Sequence, residues 1–198
     1  TGFKRVGSIP VALTGERMEE LARSAGMARA FGVEIEEIGP DDIGRRYAHL
    51  NREDVVGGVY LPKDGQGDPT NIALALAKGA RMQGARIIEH MQVTEVRETV
   101  SNGHRAVAGV AWQDESGATG YIQSDFVVNC GGMWASELGR KNNVNVPLHA
   151  CEHFYIVSEP IAGLSELPVL RVPDECAYYK EDAGKILLGA FEPVSKPW

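Results

Sequence analysis

An α/β fold with a mixed sheet is what this sequence predicts, and three features carry the prediction. Two capped helical stretches are each followed by a strand-like run, the alternation of an α/β layer. Three further strand-like runs, 93–98, 106–112 and 120–128, are separated by Asn102-Gly103 and Ser116-Gly117, both strong reverse-turn signals for an antiparallel meander. Finally, the apolar run Phe126–Cys130 passes through Gly131-Gly132 into a helix opening near Met133 or Trp134. Paired glycines between a strand and a helix let a backbone approach a ligand closely, with helix amides facing it. A tight structural turn would use the same residues.

The elements follow in order. Residues 6–13 suit a short strand, with Pro10 pushing it towards an edge or bulge. Thr14 sits at an N-cap position and Glu16 in the first turn. Met18, Leu21, Ala22, Ala25, Ala28 and Phe31 then recur at helical spacing, predicting an amphipathic helix over 16–31 that ends at Gly32. Val33–Ile38 alternates with period two, as a half-buried strand does. Gly39-Pro40-Asp41-Asp42 turns into a short helix over 43–47, and 55–61 is expected to be a strand.

Asp68 before Pro69 is a clean helix start, an acceptor side chain followed by a proline at the first helical position. Ile72, Ala73, Leu76, Ala77 and Ala80 form its expected buried stripe, and Ala85–Glu89 the strand after it. Beyond the glycine pair, a helix is expected to Leu138 and a long strand over 146–158. Further strands are expected at 169–170, 177–180 and 186–191, with 182–185 as a turn.

Composition narrows the function classes. Twenty Lys and Arg against 27 Asp and Glu give a net charge of −7 with no basic cluster, which disfavours nucleic acid as a partner. No apolar run approaches the roughly 18 residues of a membrane span. Three cysteines without a CxxC spacing predict neither a disulfide framework nor a zinc site, and fit a reducing compartment. The chain starts at Thr1-Gly2 and stops at Lys196-Pro197-Trp198 directly after a strand-like run, so it reads as an internal piece of a longer protein.

The polar candidates cluster late. Period two places Cys151, His153, Tyr155 and Val157 on one strand face, where His153 is either a hydrogen-bonded core histidine or a cavity-facing proton carrier. His149 and His153 would stand roughly 13 Å apart on a strand, too far to share a metal. No metal site is predicted. Tyr178-Tyr179 sits mid-strand with one ring on each side of the sheet, and a phenol lining a pocket can hydrogen-bond a carboxylate or relay a proton. No Gly-x-Gly-x-x-Gly, Walker loop or Gly-x-Ser-x-Gly elbow occurs.

Several motifs recur together in a known family. They are Gly7-Ser8, the 17–31 helix running into Ala-Phe-Gly-Val-Glu, and Asp64-Gly65 with Asp68-Pro69. Val-Val-Asn-Cys-Gly-Gly-Met-Trp-Ala, Glu-His-Phe-Tyr-Ile-Val-Ser-Glu-Pro and Ala-Tyr-Tyr-Lys-Glu follow in that order. Across essentially the whole chain, the sequence resembles the dimethylglycine dehydrogenase, sarcosine dehydrogenase and dimethylglycine oxidase branch of the D-amino-acid-oxidase-like flavoproteins.

The resemblance implies an FAD-dependent amine oxidoreductase that demethylates an N-methyl glycine derivative, with hydride passing to flavin N5. It implies a small N-methylated amino acid as substrate, oxygen or an electron-transfer protein as acceptor, and tetrahydrofolate on a separate C-terminal domain. Val93, Gly131, Gly132 and Trp134 fall on positions that contact the cofactor in that family. His153 and Tyr178 fall on its active-site histidine and tyrosine, with Tyr155 and Tyr179 adjacent.

On this resemblance, residues 1–60 belong to a substrate-binding region and 61–145 to the FAD-binding domain with its inserted meander. Residues 146–198 belong to the mixed substrate-binding sheet. The family's N-terminal dinucleotide fingerprint, its flavin-attaching histidine and its C-terminal flavin-closing segment have no counterpart here, so the isolated chain is expected to be inactive and free of flavin. A bacterial cytoplasm and a mitochondrial matrix both suit it. Two other readings share the ancestry: a non-catalytic relative of the pyruvate dehydrogenase phosphatase regulatory subunit, and a glycine or proline oxidase.

Overall fold

A computed structural model describes residues 2–198. In chain order the first strands and helices are β1 (Phe3–Lys4), β2 (Ser8–Ala12), α1 (Gly15–Ala30), β3 (Glu36–Ile38) and α2 (Pro40–Arg46). Then come β4 (Gly57–Tyr60), β5 (Gln66–Gly67), α3 (Pro69–Met82), β6 (Met91–Ser101), β7 (His104–Asp114) and β8 (Thr119–Gln123). The last are α4 (Ala135–Lys141), β9 (Phe154–Val157), β10 (Val169–Val172), β11 (Ala177–Asp182) and β12 (Lys185–Ala190). The chain divides into two compact units. One runs from the N terminus to Gly79 and resumes over Glu152–Ser195, and the other holds Ala80–Cys151 and Lys196–Trp198.

The first unit is built on a seven-stranded mixed sheet in the order β3-β4-β2-β10-β11-β12-β9. Only the β2–β10 pair is parallel, Ile9 standing beside Leu170. Ile9, Val11, Leu170 and Val172 are buried and form the core with Ile38, Ile43, Tyr47, Val55 and Leu167. Helix α1 packs on β2 and β4. Its start is as expected, Thr14 Oγ1 accepting from Arg17 N–H at 3.2 Å. Only Ala25 of its apolar stripe is buried, however, and Phe31 is 82% exposed.

Pro10 was expected at an edge or bulge, yet β2 is an interior strand. The register with β4 explains its tolerance. Ser8 opposes Leu61 as an isolated bridge and pairing resumes only at Val11 and Ala12 with Gly58 and Gly57. Pro10 falls in the gap, opposite Val59, so its missing N–H costs one rung of that ladder while β10 pairs along the other side.

The second unit contains the meander β6-β7-β8. Asn102 (φ 51°) and Gly103 (φ 78°) make the left-handed two-residue turn that the sequence predicts, with Ser101 paired to His104. β8 stops at Gln123 rather than 128.

Three sequence expectations are corrected here. Ala85–Glu89 and Phe126–Cys130 belong to no strand, and Phe126 and Val128 are 86% and 82% exposed. A run with strand composition becomes a strand only beside a partner edge, and none of the described sheets presents one to these segments. Helix α3, by itself, has no buried residue, with Leu76 70% exposed where a buried stripe was expected. The long strand expected over 146–158 shortens to β9, and His153 lies just before it.

Candidate active site

In the first unit, sheet register assembles the polar candidates. Tyr178 on β11 pairs with Gly189 on β12, and Gly189 pairs with Tyr155 on β9. Directly paired residues project to the same face, so Tyr178, Tyr155 and the flanking His153 and Phe191 share one side of the sheet. His153 Nε2 lies 3.0 Å from the Tyr178 hydroxyl, a hydrogen bond whose direction depends on the imidazole tautomer.

The imidazole is held flat. Phe191 stacks on it at 4.7 Å between centroids with 28° between planes, and Tyr178 lies at 5.8 Å and 14°. Phe191 and Tyr178 also touch, at 5.6 Å. Contacts of this kind restrict ring rotation and contribute roughly 0.5–1.5 kcal/mol each. The face is open rather than enclosed, Tyr155 being 60% and Phe191 57% exposed. Phe191 was not singled out from sequence. The available signal was the period-two step from Gly189, but its contact with His153 is across strands and has no local signature.

Tyr179, next to Tyr178, projects to the other face of the same sheet. There a cavity of about 350 Å³ is lined by Tyr47, Tyr179, Glu175, Asp54 and His49 above an apolar floor that includes Val11, Leu170 and Ile186. Burial pushes the Tyr47 phenol up to about 12, with a smaller contribution from Tyr179. Burial also raises Tyr179, with Glu175 adding to it. Tyr178 and Tyr179 are thus separated by the sheet and belong to different surroundings.

In the second unit, Val93, Gly131 and Trp134 line one cleft of about 590 Å³ together with Val110, 127–130, Leu138 and Lys141. Gly132 opens the 3-10 turn Gly132–Trp134 at φ +54°, a conformation that favours glycine. Asn129 ties the turn down: its Oδ1 accepts from Gly131 N–H at 3.1 Å and its Nδ2 donates to Ala135 O at 3.0 Å. Trp134 meets Trp198 edge-on at 6.1 Å.

The cleft fits the flat, uncharged part of a dinucleotide cofactor. Its walls are largely apolar, and residues 127–130 present main chain that belongs to no ladder. Its one cation, Lys141, already donates to Thr94 O at 3.2 Å and stands 3.9 Å from Glu137. A pyrophosphate finds no cradle there.

Among the described residues no three His, Cys, Asp or Glu side chains converge as a metal site would require. Nor is any described helix long and apolar enough to cross a membrane.

Comparison with known proteins agrees with this architecture. Over 193 residues the chain is 36% identical to the mitochondrial sarcosine dehydrogenase of Homo sapiens, covering 97% of this chain and 20% of that protein. It is 35% identical over 201 residues to the mitochondrial pyruvate dehydrogenase phosphatase regulatory subunit of Mus musculus, covering 100% of this chain and 22% of that one. The chain therefore spans about a fifth of the length of these relatives. The crystal structure of L-proline dehydrogenase from P. horikoshii superposes with a TM-score of 0.82 at 22% identity, over 98% of this chain and 50% of that one. Residues 1–197 match the model of the FAD dependent oxidoreductases. The chain belongs to that family, the D-amino-acid-oxidase-like FAD-dependent oxidoreductases.

Proposed function

We propose that the whole protein oxidises the N-methyl group of a small N-methylated amino acid, such as sarcosine or dimethylglycine. In this reading the chain supplies the substrate-side pair His153 and Tyr178. It also supplies part of the cofactor wall, through Val93, Gly131, Gly132 and Trp134. The observation that carries it is the 3.0 Å hydrogen bond between His153 Nε2 and the Tyr178 hydroxyl on an open sheet face.

The chemistry asks for such a pair. An N-methyl amino acid reaches the protein as an ammonium, and only the neutral amine has the lone pair that assists removal of two electrons and a proton from the methyl carbon. FAD, when bound, supplies the two-electron acceptor. His153 takes the ammonium proton at a ring nitrogen, and the Tyr178 hydroxyl fixes the tautomer and the plane of that ring. The oxidised substrate is an iminium, and addition of water releases formaldehyde and the demethylated amine. A proton carrier held by one hydrogen bond and two aromatic contacts is suited to the first step.

The test uses the full-length protein loaded with FAD and assayed with sarcosine, dimethylglycine and proline against an artificial electron acceptor. Formaldehyde is expected in proportion to acceptor reduced, with sarcosine or dimethylglycine preferred over proline. His153→Ala and Tyr178→Phe should each lower kcat/KM by about 10²–10⁴ and about 10-fold or more respectively, the range of general acid–base contributions. Wild-type kcat/KM in both variants would displace the pair from the chemistry. FAD-loaded protein without turnover of any of the three amines would instead favour a regulatory role, the reading supported by the 35% identity to the mouse regulatory subunit.

A further inference from the structure

The cavity on the Tyr179 side of the sheet is floored by four neighbouring strands. Val11 of β2, Leu170 and Val172 of β10, Tyr179 of β11 and Ile186 of β12 all reach it. Leu170 and Tyr179 are direct partners across the β10–β11 ladder, so they project to one face. The facing wall is the segment after α2, and it is tied down. Tyr47 N–H donates to Ile43 O at 2.7 Å, Leu50 N–H to Tyr47 O at 3.2 Å and Val55 N–H to Arg52 O at 3.2 Å. All of these residues belong to the first unit. At about 350 Å³ the cavity lies at the small end of the range for ligand sites.

Tyr47 is the group this cavity leaves unsatisfied. It is 3% exposed, it lines the cavity, and its hydroxyl makes no hydrogen bond among the described residues. Buried phenols ordinarily find a partner. Burial, with a smaller contribution from Tyr179, keeps this one protonated, so it can both donate and accept. Asp54 and Glu175 line the same space and are exposed. Neither is hydrogen-bonded or ion-paired among the described residues. The cations near them in sequence or fold are engaged elsewhere, Arg52 with Asp41 at 3.2 Å and Arg17 with Asp174 at 2.9 Å. No Lys or Arg lines the cavity.

We propose that this cavity binds a small alkylammonium that carries no carboxylate. Its apolar chain lies on the floor of Val11, Leu170 and Val172, and its N–H groups are shared between the Tyr47 hydroxyl and the carboxylates of Asp54 and Glu175. The lining sets the sign of the ligand, since an anion would meet two carboxylates and no basic side chain. A free amino acid fails for the same reason, its own carboxylate standing beside theirs. A bare metal ion does not suit a space roughly ten times the share of one water molecule with an apolar floor. An ammonium supplies the donors that Tyr47 and both carboxylates can accept, with charge-assisted bonds to the latter. The two phenol rings add the attraction of aromatic faces for a cation. This site differs from the His153–Tyr178 pair in sheet face and in ligand, and it does not rest on the oxidation proposed above.

The test is calorimetry on the FAD-loaded full-length protein with n-propylammonium chloride, compared with methylammonium chloride and with propionate as a competitor. One propylammonium is expected to bind per chain, about 10-fold more tightly than methylammonium because two further methylene groups are buried. Propionate should not displace it. The double variant Asp54→Asn with Glu175→Gln neutralises two exposed residues without touching the core, and should weaken propylammonium about 10-fold. Tyr47→Phe should weaken it roughly 5-fold, as loss of one hydrogen bond does. Tyr178→Phe, on the opposite face, should leave the affinity unchanged. Urea midpoints at neutral pH establish that each variant is folded. The site is overturned if wild type binds no propylammonium, if methylammonium binds as tightly, or if propionate displaces the amine. It is equally overturned if Tyr178→Phe abolishes binding, or if the double variant and Tyr47→Phe both leave it unaltered. Binding is read without turnover, so failure of this site and failure of the proposed reaction give separate results.

Discussion

The phenol of Tyr178 lies directly over Gly189: a Cβ built on Gly189 would overlap both the ring and its hydroxyl oxygen. A hydrogen atom at that position of β12 is therefore part of how the Tyr178 hydroxyl reaches His153. Gly189→Ala should push the ring aside and break the 3.0 Å hydrogen bond, costing about 1–3 kcal/mol as an overpacked contact. The check is a double-mutant cycle with Tyr178→Ala, read by urea midpoint and by amine turnover of the full-length protein. Relief of the Gly189→Ala penalty once the ring is gone is expected. Simple additivity would place the strain elsewhere.

Tyr47 gives an alkaline signature on the other face. Its phenol is pushed up to about 12 by burial, against an ordinary value of about 10 in the unfolded chain. The folded state holds the proton more tightly, so the stabilisation is complete below pH about 10 and is lost as pH rises through the folded value. Tyr47→Phe should abolish this contribution, and the urea midpoints of variant and wild type should diverge between pH about 10 and 12, with the variant the more resistant. Parallel curves through that window would be incompatible with a buried neutral phenol.

Asp174 gives the acid counterpart. Burial raises this carboxyl, but Leu13 N–H and Arg17 outweigh it and leave it below the ordinary carboxylate range. Its Oδ2 accepts from Leu13 at 2.9 Å and its Oδ1 from Arg17 Nε at 2.9 Å. Asp174→Ala should cost on the order of 1 kcal/mol at neutral pH, the net contribution of solvent-accessible hydrogen bonds of this kind. With the folded value depressed, the advantage of wild type is present above the unfolded pKa of about 3.9 and vanishes as pH falls through the folded one. A wild-type advantage that persisted undiminished into strong acid would contradict the ion pair.

What was legible in the sequence was mostly local. Thr14 and Asp68-Pro69 announce helix starts because a cap is a contact within one turn, and Asp68 Oδ1 does accept from Asn71 N–H at 3.0 Å. Asn102-Gly103 announces its hairpin because the left-handed turn is local too. Ala85–Glu89 and Phe126–Cys130 have strand composition but no edge to join, and composition cannot report a missing neighbour. Pro10 was misplaced for the same reason, since its tolerance depends on which flank of β2 loses a rung. His153 and Tyr178 stood out as residue types, whereas Phe191 joins them only through a ring contact across strands, a relation that single-strand periodicity does not contain.

The pairing of β2 with β10 also sets a timetable. Leu13 and its partner Asp174 are 161 residues apart, and β2, which stands between β4 and β10 in the seven-stranded sheet, cannot be flanked on both sides until Val172 has left the ribosome. The meander, whose contacts are between successive hairpin arms, has no such wait. Contacts that close long loops form late and leave their apolar partners uncovered in the interval. During synthesis the meander is thus expected to acquire its structure first, while Ile9 and Val11 lack their β10 neighbours until that strand emerges.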